Sequence, residues 1–124
     1  MTWSHRHESV LRAVIDAADA RRDGLLPMDV AGVTETFGDE LSLLGALQLR
    51  WYARLSGHLE LALLASPADV DVARTVWSAT AEELPGVRLV IDHYRAHPED
   101  PRMAAALSVA RAKEQRLLAA VAAA

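Results

Sequence analysis

The feature that most constrains the fold is a long apolar segment in the first half of the chain. Residues 39–65 contain no proline, and their large apolar side chains recur every three or four residues, as one helix face requires. A helix of roughly 27 residues is about 40 Å long, the full width of a small domain. We therefore predict a central helix around which the rest of the chain packs. Its predicted inner stripe is Leu41, Leu44, Leu47, Trp51, Leu55, Leu59 and Ala62, broadened by Leu49, Tyr52 and Leu63.

Small residues recur along this predicted helix. Gly45 and Gly57 each cost up to about 1 kcal/mol of helix propensity relative to alanine, so a packing reason is expected to offset that cost. Residues this small let another helix approach closely, either within the bundle or in a second subunit. The small residues are Ser42, Gly45, Ala46, Ala53, Ser56 and Gly57.

Four further helical segments are predicted, at residues 4–22, 66–84, 87–96 and from 100 onward. A connector at residues 24–33, the Pro85-Gly86 pair and a turn at residues 97–101 separate helices along the chain. The central helix is expected to begin near Thr36 or Asp39, which have the spacing of a capping box. No segment alternates with period two for long enough to predict a strand. We therefore predict an all-α, four- to five-helix bundle that forms one domain over residues 1–124, with the second helix at its centre.

Several individual side chains are expected to face the interior. Trp3, Trp51 and Trp77 each fall on a predicted inner face, so core packing explains them first, although an exposed tryptophan would be a natural anchor for a partner. Glu114 lies inside the apolar stripe of the last helix, where we expect it to meet an arginine of another helix or to lie at a flank. The inner face of the short helix 87–96 is predicted to be Val87, Val90, Ile91 and Tyr94.

Composition excludes several classes of function. The chain has no cysteine, which removes thiol catalysis, disulfides, cysteine-based zinc sites and iron–sulfur ligation. Its net charge of −4 disfavours nucleic-acid binding unless a local basic patch exists. No uncharged apolar run is long enough to cross a membrane, so we expect a cytoplasmic protein. Nucleophile-elbow, dinucleotide-binding and P-loop motifs are also missing, and no catalytic residue or cofactor is indicated.

A ladder of cations on the central helix is the first candidate site. Arg50, Arg54 and His58 are spaced four residues apart and share one side of the helix, with Trp51 and Tyr52 beside them. The functional interpretation is a pocket for an anionic ligand. The structural alternative, which we favour, is a solvated or ion-paired strip. The carboxylates considered for that pairing are Glu82, Glu83 and Glu114.

Histidines supply the second candidate site. His93 and His97 lie four residues apart, which places two imidazoles on one helix flank as a metal site would require. Pro98 follows directly, so this flank is at the C-terminal end of a helix. The helix dipole stabilises positive charge there, which gives exposed histidines a structural explanation. A third ligand would have to come from elsewhere in the chain, and the structural interpretation is again favoured.

Three functions remain open from the sequence. The first is a non-enzymatic helical module that binds another protein or a second copy of itself. The second is a bundle that binds a small anion or a metal. The third is a helix-turn-helix-like regulator of DNA, which the acidic and apolar residues 39–44 at the start of its would-be recognition helix disfavour.

Overall fold

The computed structural model describes residues 2–65 and 71–123, which fold into an all-helical bundle. Five long helices and one short helix are present in this part of the chain, in agreement with the predicted fold class. None of them is long and apolar enough to cross a membrane. The helices are α1 (Thr2–Arg21), α2 (Val33–Phe37), α3 (Glu40–Ala65), α4 (Val72–Glu83), α5 (Pro85–Ala96) and α6 (Pro101–Ala123).

Short polar residues define where α3 and α6 begin. The Asp39 carboxylate accepts a hydrogen bond of 2.8 Å from the backbone N–H of Ser42, and Asp100 does the same for Met103 at 2.8 Å. Each bond satisfies a backbone donor that has no partner within its own helix. Thr36, the alternative start predicted for the central helix, belongs instead to α2, which Gly38 separates from α3 with φ at 86°. The predicted cap at residues 66–69 lies outside the described residues.

The core is built around α3, as the periodicity predicts. Its buried side chains include Leu44, Leu47 and Trp51, and the four residues predicted for the inner face of α5 are all buried as well. Trp77 is half-buried, and the side chain of Trp3 lies outside what the structure describes. The core residues contributed by α3 are Leu43, Leu44, Leu47, Trp51, Leu55 and Leu59.

Leu49 corrects the predicted stripe on α3. We expected this side chain to broaden the inner face, but it is 68% exposed. The surface of α3 that neighbouring helices cover is narrower than the predicted stripe. Leu49 therefore lies at the surface beside α6, where it lines an open groove.

Helices α1 and α5 pack closely where Gly86 meets the backbone of α1. Gly86, in the first turn of α5, packs directly on the backbone of Ala18 and Asp19 in α1. Its backbone N–H also donates a 2.9 Å hydrogen bond to the Asp19 carboxylate. Helix α5 thus begins at Pro85, two residues earlier than predicted, because proline is well tolerated in a first helical turn.

Candidate functional site

A buried carboxylate joins four of the six helices. Glu114 on α6 is 6% exposed, and its Oε1 accepts a 2.8 Å hydrogen bond from the indole N–H of Trp51 on α3. Its Oε2 accepts a 3.1 Å bond from the indole N–H of Trp77 on α4. Two guanidiniums of α5 also reach Oε1, Arg88 at 3.3 Å and Arg95 at 3.5 Å. We call these five side chains the Glu114 cluster.

Arg88 is the better satisfied of the two arginines. Its Nε and Nη2 donate to the Asp92 carboxylate at 3.0 and 2.6 Å, one helical turn along α5. The guanidinium carbon also lies 4.7 Å from the ring centre of Trp51 and 5.1 Å from that of Trp77. The two indoles meet edge to face, with centroids 5.7 Å apart. Arg88 therefore combines an ion pair with the cation–π geometry that favours arginine over lysine.

The surroundings of Glu114 keep it ionised. Burial acts to raise its pKa, but the hydrogen bonds from Trp77 and Trp51 and the charges of Arg88 and Arg95 outweigh burial and lower the pKa. Both carboxylate oxygens are occupied by donors within the protein. A carboxylate in this state has no proton to donate near neutral pH, so the arrangement is suited to holding helices together rather than to general acid catalysis.

This lowered pKa predicts a specific dependence of stability on pH. Since the folded pKa lies below the ordinary value of 4.5, the stabilisation from Glu114 is complete above pH 4.5 and is lost as pH falls through the folded pKa. We expect the free energy of unfolding to fall more steeply with acidification in the wild type than in Glu114→Gln. Urea titrations of both proteins across this range measure the difference. Parallel pH profiles would contradict the assignment, because other acidic groups contribute equally to both.

The three side chains of the predicted cation ladder contact carboxylates of two other helices, α1 and α4. Arg50 forms an ion pair with Glu8 of α1. Arg54 pairs with Glu83 at 2.8 Å, and His58 contacts the other oxygen of the same carboxylate at 2.9 Å. The two flanking aromatic residues make other contacts. Trp51 belongs to the Glu114 cluster, and the Lys113 ammonium lies 4.3 Å from the ring centre of Tyr52. The pairing with Glu83 was among the structural alternatives, and the pairing with Glu8 was not.

The two histidines of the proposed metal site lie side by side. The rings of His93 and His97 are stacked with centroids 5.2 Å apart, and Nδ1 of His97 is 3.3 Å from the backbone oxygen of His93. Within residues 2–65 and 71–123, no group of three or more His, Asp or Glu side chains is arranged to hold a metal ion. Their role as metal ligands remains a prediction.

An open apolar groove runs between α3 and α6. It has a volume of about 240 Å³, and its rims carry Leu49 and Val109, which are 68% and 69% exposed. Gly45 of α3 also lines the groove, and a Cβ built there would meet no described side chain or neighbouring helix within 4 Å. The remaining lining residues are Gln48, Tyr52, Ala106, Ala110 and Lys113. We call this surface the α3–α6 groove.

Comparison with known proteins adds no further assignment. The chain matches no protein-family model, no curated protein and no solved structure. The fold class is therefore established by the helices themselves, and any function has to be argued from the surface and the buried groups described above.

Proposed function

We propose that this protein is a non-enzymatic helical module that associates with a second copy of itself through the α3–α6 groove. The observation that carries the proposal is that an exposed glycine, Gly45, and an exposed leucine, Leu49, lie one helical turn apart on α3. Glycine inside a helix costs about 1 kcal/mol relative to alanine, and no packing within the described residues requires Gly45. Leu49, one turn further along, exposes a large apolar side chain next to that open space.

A second copy of this chain is the favoured partner because the α3–α6 groove carries both an apolar projection and a depression. Residues four apart on a helix are neighbours, so the Leu49 projection and the Gly45 depression lie side by side. In a two-fold dimer the same patch meets itself, and each Leu49 can enter the depression of the partner. A partner of unrelated sequence would need to supply such a projection independently.

The chemistry of the groove also favours burial. Its lining is mainly Gly, Ala, Leu and Val, and moving these apolar groups out of water lowers the free energy. The charged residue in the lining is Lys113, and its ammonium already rests on the ring of Tyr52. An interface here would therefore cover one cation, whose ammonium keeps its contact with the Tyr52 ring.

We expect Gly45→Leu and Leu49→Glu each to weaken dimerisation at least tenfold. The first substitution fills the depression, and the second replaces the apolar projection that enters the depression of the partner with a charge. Sedimentation velocity over a concentration series measures the dissociation constant. The matched controls are Gly57→Leu and Leu61→Glu, an exposed glycine and leucine with the same spacing on α3 that do not line the groove.

Two results would overturn this proposal. A wild-type protein that stays monomeric at the highest accessible concentration has no self-association to explain. A dimer weakened equally by the Gly57 and Leu61 variants would place the interface on another face of α3. Circular dichroism of all four variants establishes that each remains folded.

A further inference from the structure

A small pocket with two arginines lies between the end of α5 and the first half of α6. Its volume is about 160 Å³, and it is lined by Arg95, Pro98, Ala104, Leu107, Ser108 and Arg111. Ala104, Ser108 and Arg111 are spaced four and three residues apart, so they share one face of α6. Arg95 faces them from the last turn of α5. The pocket therefore brings together two guanidiniums and one hydroxyl from two helices.

Arg95 is incompletely satisfied by the Glu114 cluster. The one hydrogen bond that it makes in the described part of the chain is the 3.5 Å contact with Glu114, at the long limit for such a bond. Its buried Nε has no acceptor there. Glu114 is shared with Arg88, Trp51 and Trp77, so it cannot offer Arg95 a bidentate pairing. Burial, followed by the charge of Arg88, lowers the pKa of Arg95, which is the expected effect of an undercompensated cation.

Arg111 is also available for a ligand. It is exposed and forms no ion pair or hydrogen bond with any described residue. Guanidinium groups bind planar or tetrahedral oxyanions through two parallel N–H donors, and a serine hydroxyl adds a third donor. The volume of the pocket is well below the 300–1,000 Å³ typical of sites for drug-sized ligands, so it suits a small anionic group.

We propose that Arg95, Ser108 and Arg111 form a binding site for a small oxyanion, either a phosphate or a carboxylate group. Arg95 supplies a partly desolvated charge at the base of the pocket, and Arg111 closes over the anion from the solvent side. The site is independent of the α3–α6 groove. It is also distinct from the cation ladder on α3, whose side chains contact Glu8 and Glu83.

The test is a titration of the full chain with inorganic phosphate and, separately, with succinate, at constant ionic strength set by sodium chloride. Chemical-shift changes of backbone amides report both affinity and location. We expect saturable binding, with the largest shifts at residues 95, 108 and 111. Arg111→Ala should weaken it at least tenfold, and Ser108→Ala by a smaller factor.

The control is Arg116→Ala, which removes the same charge from an exposed position on α6 that does not line the pocket. Its affinity should stay within about twofold of the wild type, since loss of a distant surface charge is screened by salt. Saturation by phosphate alone or by succinate alone would identify the chemistry of the group. Absence of saturation with both, or equal losses in the Arg111 and Arg116 variants, would overturn the proposal.

Discussion

Glu114→Gln is expected to lower the free energy of unfolding by about 3–5 kcal/mol, the usual cost of breaking a buried ion pair on one side. Glutamine keeps the shape of the side chain but removes the charge that Arg88 and Arg95 share. Its amide also carries N–H donors, which would oppose the donors now directed at one of the carboxylate oxygens. Since a domain of this size is typically stable by 5–15 kcal/mol, the loss is a large fraction of the total.

Urea denaturation measures this change directly, and the melting temperature should fall by roughly 10–20 °C. The control is Glu60→Gln, an exposed glutamate on α3, which should change stability by less than about 0.5 kcal/mol. A loss below about 1 kcal/mol in Glu114→Gln would show that the two guanidiniums are stabilised without the carboxylate. That outcome would remove the central role given to the Glu114 cluster.

The second large effect is expected at the contact between α1 and α5. A methyl group added in Gly86→Ala would lie against the carbonyl of Ala18 and the backbone nitrogen of Asp19, well inside van der Waals contact. Backbone atoms within a helix cannot rotate away as a side-chain tip can. We therefore expect a loss above about 3 kcal/mol, beyond the usual range for overpacking, together with loss of the hydrogen bond to Asp19.

Thermal and chemical denaturation measure this loss, with Gly57→Ala as the matched control. Gly57 is also helical, but a Cβ built there meets no described side chain or neighbouring helix within 4 Å. Alanine at position 57 should therefore stabilise the protein by roughly 0.5–1 kcal/mol. A Gly86→Ala protein as stable as the wild type would mean that α5 moves away from α1 without cost.

The periodicity of apolar residues was sufficient to predict most of the fold. It placed Val87, Val90, Ile91 and Tyr94 inside, and the structure buries all four. It failed at Leu49, because hydrophobic spacing defines the direction of a side chain and not how far the neighbouring helix extends. It also missed α2, whose five residues are too few to display a helical period.

The buried cluster was only partly predictable. An acid inside the apolar stripe of α6 indicated that Glu114 needed a cation, but its partners depend on how the helices pack. Arg88 and Arg95 lie seven residues apart and share one flank of α5, beside its inner face. That spacing was a signal in the sequence that could have identified them. The members of the cation ladder are close in sequence, whereas the residues that meet around Glu114 come from four helices.

The Glu114 cluster has a consequence for how uniquely the bundle is specified. The buried apolar side chains of α6 are Met103, Leu107 and Val121, and these interact with the rest of the bundle through non-directional apolar contacts. Such contacts alone would leave a shift of α6 by one turn along α3 poorly discriminated. Such a shift would separate the carboxylate from both indoles and leave two arginines buried without a counterion. We infer that the cluster fixes the register of α6, at some cost in stability relative to an apolar replacement. In Glu114→Gln, under conditions where it stays folded, several sets of methyl resonances would support this inference, and a single sharp set would refute it. The Glu114 carboxylate would then make the native register of α6 more favourable than registers shifted by one helical turn.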